Sequence, residues 1–161
     1  ASKPGMAAYV TTFGLAISTL GSTISGLFFS RIYSTLKKWI VPVGLLICAA
    51  GFLLTTYSQN SIMALFGLLC TGIGLGFLVS LAILITANSS KEKDSTASLA
   101  FLNSAFSVGM FASPFFYPIV PGWITAKPDI VFNFQFASTF FLAIGIISIP
   151  LVSQFMKNTV I

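Results

Sequence analysis

Asn103, Ser107, Met110, Pro114 and Tyr117 follow one another at steps of four, three, four and three. That spacing puts them on one face of a helix. The face has the residue types to hold a polar solute. Asn103 is the most informative of them, because a carboxamide in hydrocarbon must find a partner. Two partners fit: a solute or gate residue reached from an aqueous cavity, or a neighbouring helix, since such bonds commonly join membrane helices. Tyr117, nearer the helix end, suits either binding or an interfacial belt. A second polar set lies earlier, at Thr11, Thr12, Ser18, Thr19, Ser22, Thr23 and Ser25. Residues of this size serve close helix packing as readily as solute binding. Bond-making chemistry is poorly supplied. The chain has no histidine, which excludes a histidine base or metal ligand. Cys48 and Cys70 sit singly inside apolar runs and give no disulfide framework or metal spacing. Neither an enzyme nor a cofactor nor a metal is expected.

These residues need elements that live in lipid. Of the 161 residues, 56% are hydrophobic and 7% charged, against roughly 25% charged in soluble domains. So few charges cannot keep a chain of this size dispersed in water. The net charge of +5 does not point to nucleic acid, because the basic residues sit between apolar runs and form no stripe with interleaved aromatics. A cleavable signal is not expected, since the first apolar run is too long for one. A start at Ala1 rather than Met suggests a fragment or processed product.

A spanning helix needs about 20 apolar residues. Five stretches qualify: 6–30, 39–57, 61–87, 97–117 and 134–156. The expected fold class is all-α, a polytopic membrane helical bundle of five transmembrane helices in a single domain over 1–161. All eleven charged residues fall outside these runs, as the cost of burying charge in lipid requires. Residues 31–38 read as a short basic loop with Arg31, Lys37 and Lys38. Residues 118–133, with Pro118, Pro121, Gly122 and Pro128, read as a turn-rich outer loop. Alternate loops carry six basic residues on one side and two on the other. By the positive-inside rule the N-terminus is outside and the C-terminus cytoplasmic, with the chain multi-pass in a cell (plasma or inner) membrane. That rule also puts Asn88, in a glycosylation-like Asn-Ser-Ser, on the inside.

Within the third run Gly72 and Gly76 form a GxxxG, which lets membrane helices approach closely. A phosphate-loop reading fails for want of a strand and a lysine. Gly109 and Pro114 are expected to bend the fourth helix, and Pro42 fits the first turn of the second. Trp39 and Trp123 suit the membrane interface.

The order of these features resembles one half of a major facilitator superfamily transporter. The turn Gly26-Leu-Phe-Phe-Ser30-Arg31 followed by Lys37-Lys38 resembles that family's G-x-L-x-D-R and basic turn. The Gly-rich third run, the loop SSKEKDSTAS, the run AFLNSAFSVGMFASPFF and the GWITAK lead to the last helix follow in the family's order. Ser30 replaces the usual acid of the turn, and Ser113 the glycine before the helix proline. The acid is kept better in first halves, so the resemblance favours the C-terminal half, lacking its first helix. It implies a secondary active transporter that moves a small organic solute or drug by alternating access, with the remaining half, the lipid bilayer and a small-molecule substrate as partners and no nucleic acid. The first, third and fourth helices would border the cavity, and the second and fifth would face mostly lipid. Thr12, Ser18, Thr19, Ser22, Thr71, Asn103, Ser107 and Tyr117 are then the substrate-cavity candidates. Gly26, Ser30, Arg31, Lys37 and Lys38 form the cytoplasmic gate and turn motif, with Arg31 either a gate residue or a topology-setting charge. The helix runs hold no acidic residue, so a membrane carboxylate for proton coupling would lie elsewhere. The rival reading is a non-transporting membrane subunit or scaffold that acts through helix packing.

Overall fold

A computed structural model describes residues 4–36, 39–90, 94–124 and 130–158. Side chains are described for 13–36, 39–90, 94–113, 115, 119 and 132–150. Lys37, Lys38, Lys91 and Lys93 lie outside these residues, as do the side chains of Thr12, Pro114 and Tyr117. Among the described residues the chain forms five α-helices and no strand: α1 Pro4–Leu36, α2 Ile40–Thr56, α3 Ser61–Ser89, α4 Ser95–Ile124 and α5 Ile130–Asn158. Contacts divide it into two compact units, Ala1–Leu78 with Phe134–Ile161, and Val79–Asn133.

Helix is what these sequences must form in lipid, where each backbone N–H and C=O needs an internal partner. The same demand extends the helices beyond their apolar runs. The basic stretch expected to be a loop is helical through Leu36. At 1.5 Å per residue, α1 with its 33 residues is about 50 Å long. It outreaches a hydrocarbon core of about 30 Å. The expected outer loop is likewise helical through Ile124 and again from Ile130. Pro118, Pro121 and Gly122 therefore stand within α4, a placement that membrane helices tolerate. Phe13–Leu36, Ser61–Ser89 and Phe132–Pro150 are each long and apolar enough to cross a membrane, and α2 is a shorter apolar helix. Over its described residues α4, lowered by Asn103 and its serines, is not among them.

The larger unit is assembled on α3, which presents one stripe to α1 and another to α2. Towards α2 the stripe is Ala64, Gly67, Thr71 and Gly74. The facing stripe on α2 is Thr55, Gly51, Cys48 and Gly44. The pairing is antiparallel: the Thr55 hydroxyl reaches the Ala64 carbonyl at 3.5 Å, and the Cys48 thiol reaches the Thr71 carbonyl at 3.6 Å. A Cβ added at Gly51 would stand 2.6 Å from the Gly67 carbonyl oxygen, and one at Gly74 2.6 Å from the Gly44 carbonyl oxygen. Real side chains cannot approach so closely, so glycine sets the helix separation here.

Towards α1 the α3 stripe is Leu68, Gly72 and Gly76. A Cβ at Gly14 would meet Leu68, one at Gly72 would meet the backbone of Ser18, and one at Gly76 would meet Ser22 and Ser25. Numbers rise together on both helices, so α1 and α3 run parallel. The GxxxG is thus a packing element.

The other side of α2 carries α5. Leu45, Ala49 and Phe52 of α2 meet Gly145, Ser138, Phe134 and Phe141 of α5, again antiparallel. The Ser138 hydroxyl donates to the Ala49 carbonyl at 3.0 Å. The Phe52 ring lies 5.6 Å from that of Phe141 and 6.0 Å from that of Phe134. The expectation that the second helix faces mostly lipid is corrected by this arrangement. Its Ile40, Pro42, Gly44, Leu45, Cys48, Ala49, Gly51 and Thr55 are buried, because it is held between α3 and α5. On α5 the expectation holds better: Phe140, Leu142, Ile144, Ile146 and Ile147 are exposed. The directions agree with successive crossings, since α1, α3 and α5 all oppose α2.

Four outcomes follow. Gly51→Leu should destabilise the protein by roughly 1–3 kcal/mol, the usual range for overpacking, seen as a lower thermal unfolding midpoint in detergent micelles. Gly109→Leu, at a position with nothing within 4 Å, should leave that midpoint nearly unchanged. Ser138→Ala should cost about 0.6 kcal/mol, the average for a membrane hydrogen bond. Ser138→Leu should cost more, since Ser138 is only 1% exposed.

Candidate functional site

The polar residues of α1 separate into two classes by where the helix turns them. Ser18 and Ser22 lie against Gly72 and Gly76 of α3, and Ser25 beside them is 2% exposed. The Ser25 hydroxyl donates to the Ser22 carbonyl at 2.8 Å. Thr19 and Thr23 are exposed on another face. Each bonds its own helix four residues back: Thr19 to the Leu15 carbonyl at 2.6 Å and Thr23 to the Thr19 carbonyl at 2.9 Å. Such bonds satisfy the hydroxyl proton internally, while the oxygen lone pairs stay available to water or a solute.

Thr71 has a different setting. It is 3% exposed, lies within the α2–α3 seam, and donates to the Gly67 carbonyl at 3.1 Å. Its hydroxyl is used in packing.

In the smaller unit α4 carries the other polar face. Asn103, Ser104 and Ser107 are exposed, and so are Met110 and Phe111. The Ser107 hydroxyl donates to the Asn103 carbonyl at 3.0 Å, and Ser104 does the same to Ala100. The Asn103 side chain therefore stands at an open surface next to a satisfied serine. The helix runs without interruption through Gly109 and Pro114, and Phe111 and Phe115 lie with ring centres 5.6 Å apart.

Of the residues expected to form a gate, Gly26, Ser30 and Arg31 lie in the last turns of α1. Gly26, Ser30 and Arg31 are exposed. The Arg31 carbonyl accepts the Ser34 hydroxyl at 2.7 Å. Among the described residues no group of three or more His, Cys, Asp or Glu could hold a metal ion.

Sequence reasoning did not single out Thr55, Ser138 or Asn133. Thr55 and Ser138 are buried and act in packing. The heptad stripe that continues through Gly44, Cys48 and Gly51 was the signal for Thr55. Asn133, placed in a loop by its prolines, lies instead in the first turn of α5, and its Oδ1 is buried with no partner among the described residues. An orphan acceptor of this kind is uncommon in folded proteins.

A family model described as Major Facilitator Superfamily matches residues 3–158. No curated protein and no solved structure matches significantly. The match covers nearly the whole chain, and five helices with several long apolar spans agree with it. The chain is therefore a multi-pass membrane protein of the transporter kind, and it belongs to the major facilitator superfamily.

Proposed function

We propose that this chain forms five helices of the C-terminal half of a twelve-helix secondary transporter, which moves a small organic solute by alternating access. The observation that carries this reading is the exposure of Asn103 and Ser107 together on one face of α4. A carboxamide facing lipid is strongly disfavoured, so that face needs water, a solute or another bundle beside it. A half-transporter supplies all three. The exposed Thr19 and Thr23 give α1 a face of the same kind. The seams between α1, α3 and α2 hold the larger unit together. Six of the eight basic residues fall on the side of the helices that carries the C-terminus, which by the positive-inside rule supports a cytoplasmic C-terminus in a cell membrane. In this reading Arg31, in the last turns of α1, contacts the opposing half.

Within this reading Asn103 and Ser107 of the smaller unit face solute, and Thr19 of the larger unit is a separate candidate. Ser18, Ser22 and Thr71 serve packing. In proteoliposomes containing the full-length carrier, Asn103→Ala should weaken apparent solute affinity roughly tenfold, the effect of losing about 1.4 kcal/mol of binding. Insertion and helix content should be unchanged. Unaltered kinetics would remove Asn103 from the site, and no flux of any small organic solute under an imposed gradient would defeat the transport reading.

A further inference from the structure

The smaller unit contains a main-chain oxygen that the backbone of its own helix cannot satisfy. α4 is helical from Ser95 to Ile124, so each carbonyl within it should accept the N–H four residues on. Residue 114 is proline, whose nitrogen carries no hydrogen. The Met110 carbonyl therefore has no ladder donor. Ser113 stands in for the missing group: its hydroxyl donates to the Met110 carbonyl at 3.0 Å. A carbonyl oxygen and a hydroxyl oxygen each have two lone pairs. Both atoms therefore keep the capacity to accept after this bond is made.

The surroundings fit one kind of ligand. Met110 follows Asn103 and Ser107 on the open face of α4, and its side chain is exposed. The hydroxyls of Ser104 and Ser107 donate to carbonyls of their own helix, so outward they too offer lone pairs. No charged residue lies between Ser95 and Ile124, so a carboxylate or phosphate would find no counter-charge and few donors here. Next in the helix, the exposed rings of Phe111 and Phe115 have centres 5.6 Å apart, and aromatic faces attract cations. A Cβ added at Gly109 would meet nothing within 4 Å, so the helix surface beside Met110 is open.

We propose that the Met110 carbonyl and the Ser113 hydroxyl oxygen together bind the primary ammonium of an arylalkylamine. The two oxygens are 3.0 Å apart, and an ammonium carries three N–H donors, enough to serve both at once. A trimethylated ammonium keeps the charge but has no N–H to give, so the site favours the primary amine. The inference rests on the transport reading only in taking this face of α4 as the one that meets solute, and it names the solute class that the reading leaves open.

The test measures equilibrium binding to the purified full-length carrier by isothermal titration calorimetry. The probes are phenethylamine, its trimethylammonium analogue and hydrocinnamate. The wild type should bind phenethylamine about tenfold more tightly than the trimethylated analogue, equivalent to ~1.4 kcal/mol, and should not bind the carboxylate. Pro114→Ala restores an N–H to the Met110 carbonyl and should bring the amine close to parity with its analogue. Ser113→Ala should cut the ratio to about threefold, equivalent to ~0.6 kcal/mol, whereas Ser113→Thr, which keeps the hydroxyl, should preserve it. A purely structural role for either residue would change both probes alike and leave the ratio unmoved. Circular dichroism establishes that the variants fold. No binding of phenethylamine, equal affinity for the two ammonium probes in the wild type, or a tenfold ratio that survives Pro114→Ala would overturn the proposal. Solute flux does not enter this readout, so its failure leaves the transport reading standing.

Discussion

Helix backbones come close together along α3, and the rest of the larger unit depends on it. In lipid there is no hydrophobic gain in bringing one apolar helix against another, so association rests on close packing and hydrogen bonds. Gly67, Thr71 and Gly74 admit α2, while Gly72 and Gly76 admit α1. The two stripes lie on different faces of one helix. A side chain on either would meet backbone atoms of the neighbour. Carbonyls on these surfaces then take what few side-chain donors there are, as Ala64 takes Thr55 and Ala49 takes Ser138. The seams are nearly free of charge, and their stability comes from shape.

That dependence explains how polar residues are sorted. A serine fits where backbones nearly touch, because it is small and can bond its own helix. Ser18, Ser22 and Ser25 occupy such positions against Gly72 and Gly76. Thr19 and Thr23, one position on from Ser18 and Ser22, turn away from α3. The same chemistry thus divides into a face that holds the larger unit together and a face left for something else. On α4 the second kind dominates, with Asn103 and Ser107 both open.

Much of this could be read from the sequence, and what could not has a physical cause. The number and class of helices follow from runs of apolar residues separated by charge. The GxxxG told of packing, and the ordered motifs told of the family. Helix ends were misjudged at residues 31–36 and 118–124, because charge and proline usually mark loops in water. Next to lipid, the backbone's need for internal bonds overrides both signals. The burial of α2 was hidden because its small residues are apolar whichever way they face. Thr71 illustrates the same difficulty at one position. A lone threonine in an apolar run reads equally as a ligand or a packing residue until its neighbours Gly51 and Gly67 are known.

The central claim is that α1 divides its hydroxyl residues between a dry seam and a wet face. Single cysteines placed along α1 of the full-length carrier, with Cys48 and Cys70 replaced by alanine, can be probed in the membrane with a hydrophilic thiol reagent. Cysteine at positions 19 and 23 should react, and cysteine at 18, 22 and 25 should stay protected. Labelling of positions 18, 22 and 25 as fast as 19 and 23, or no labelling at 19 and 23, would contradict the account.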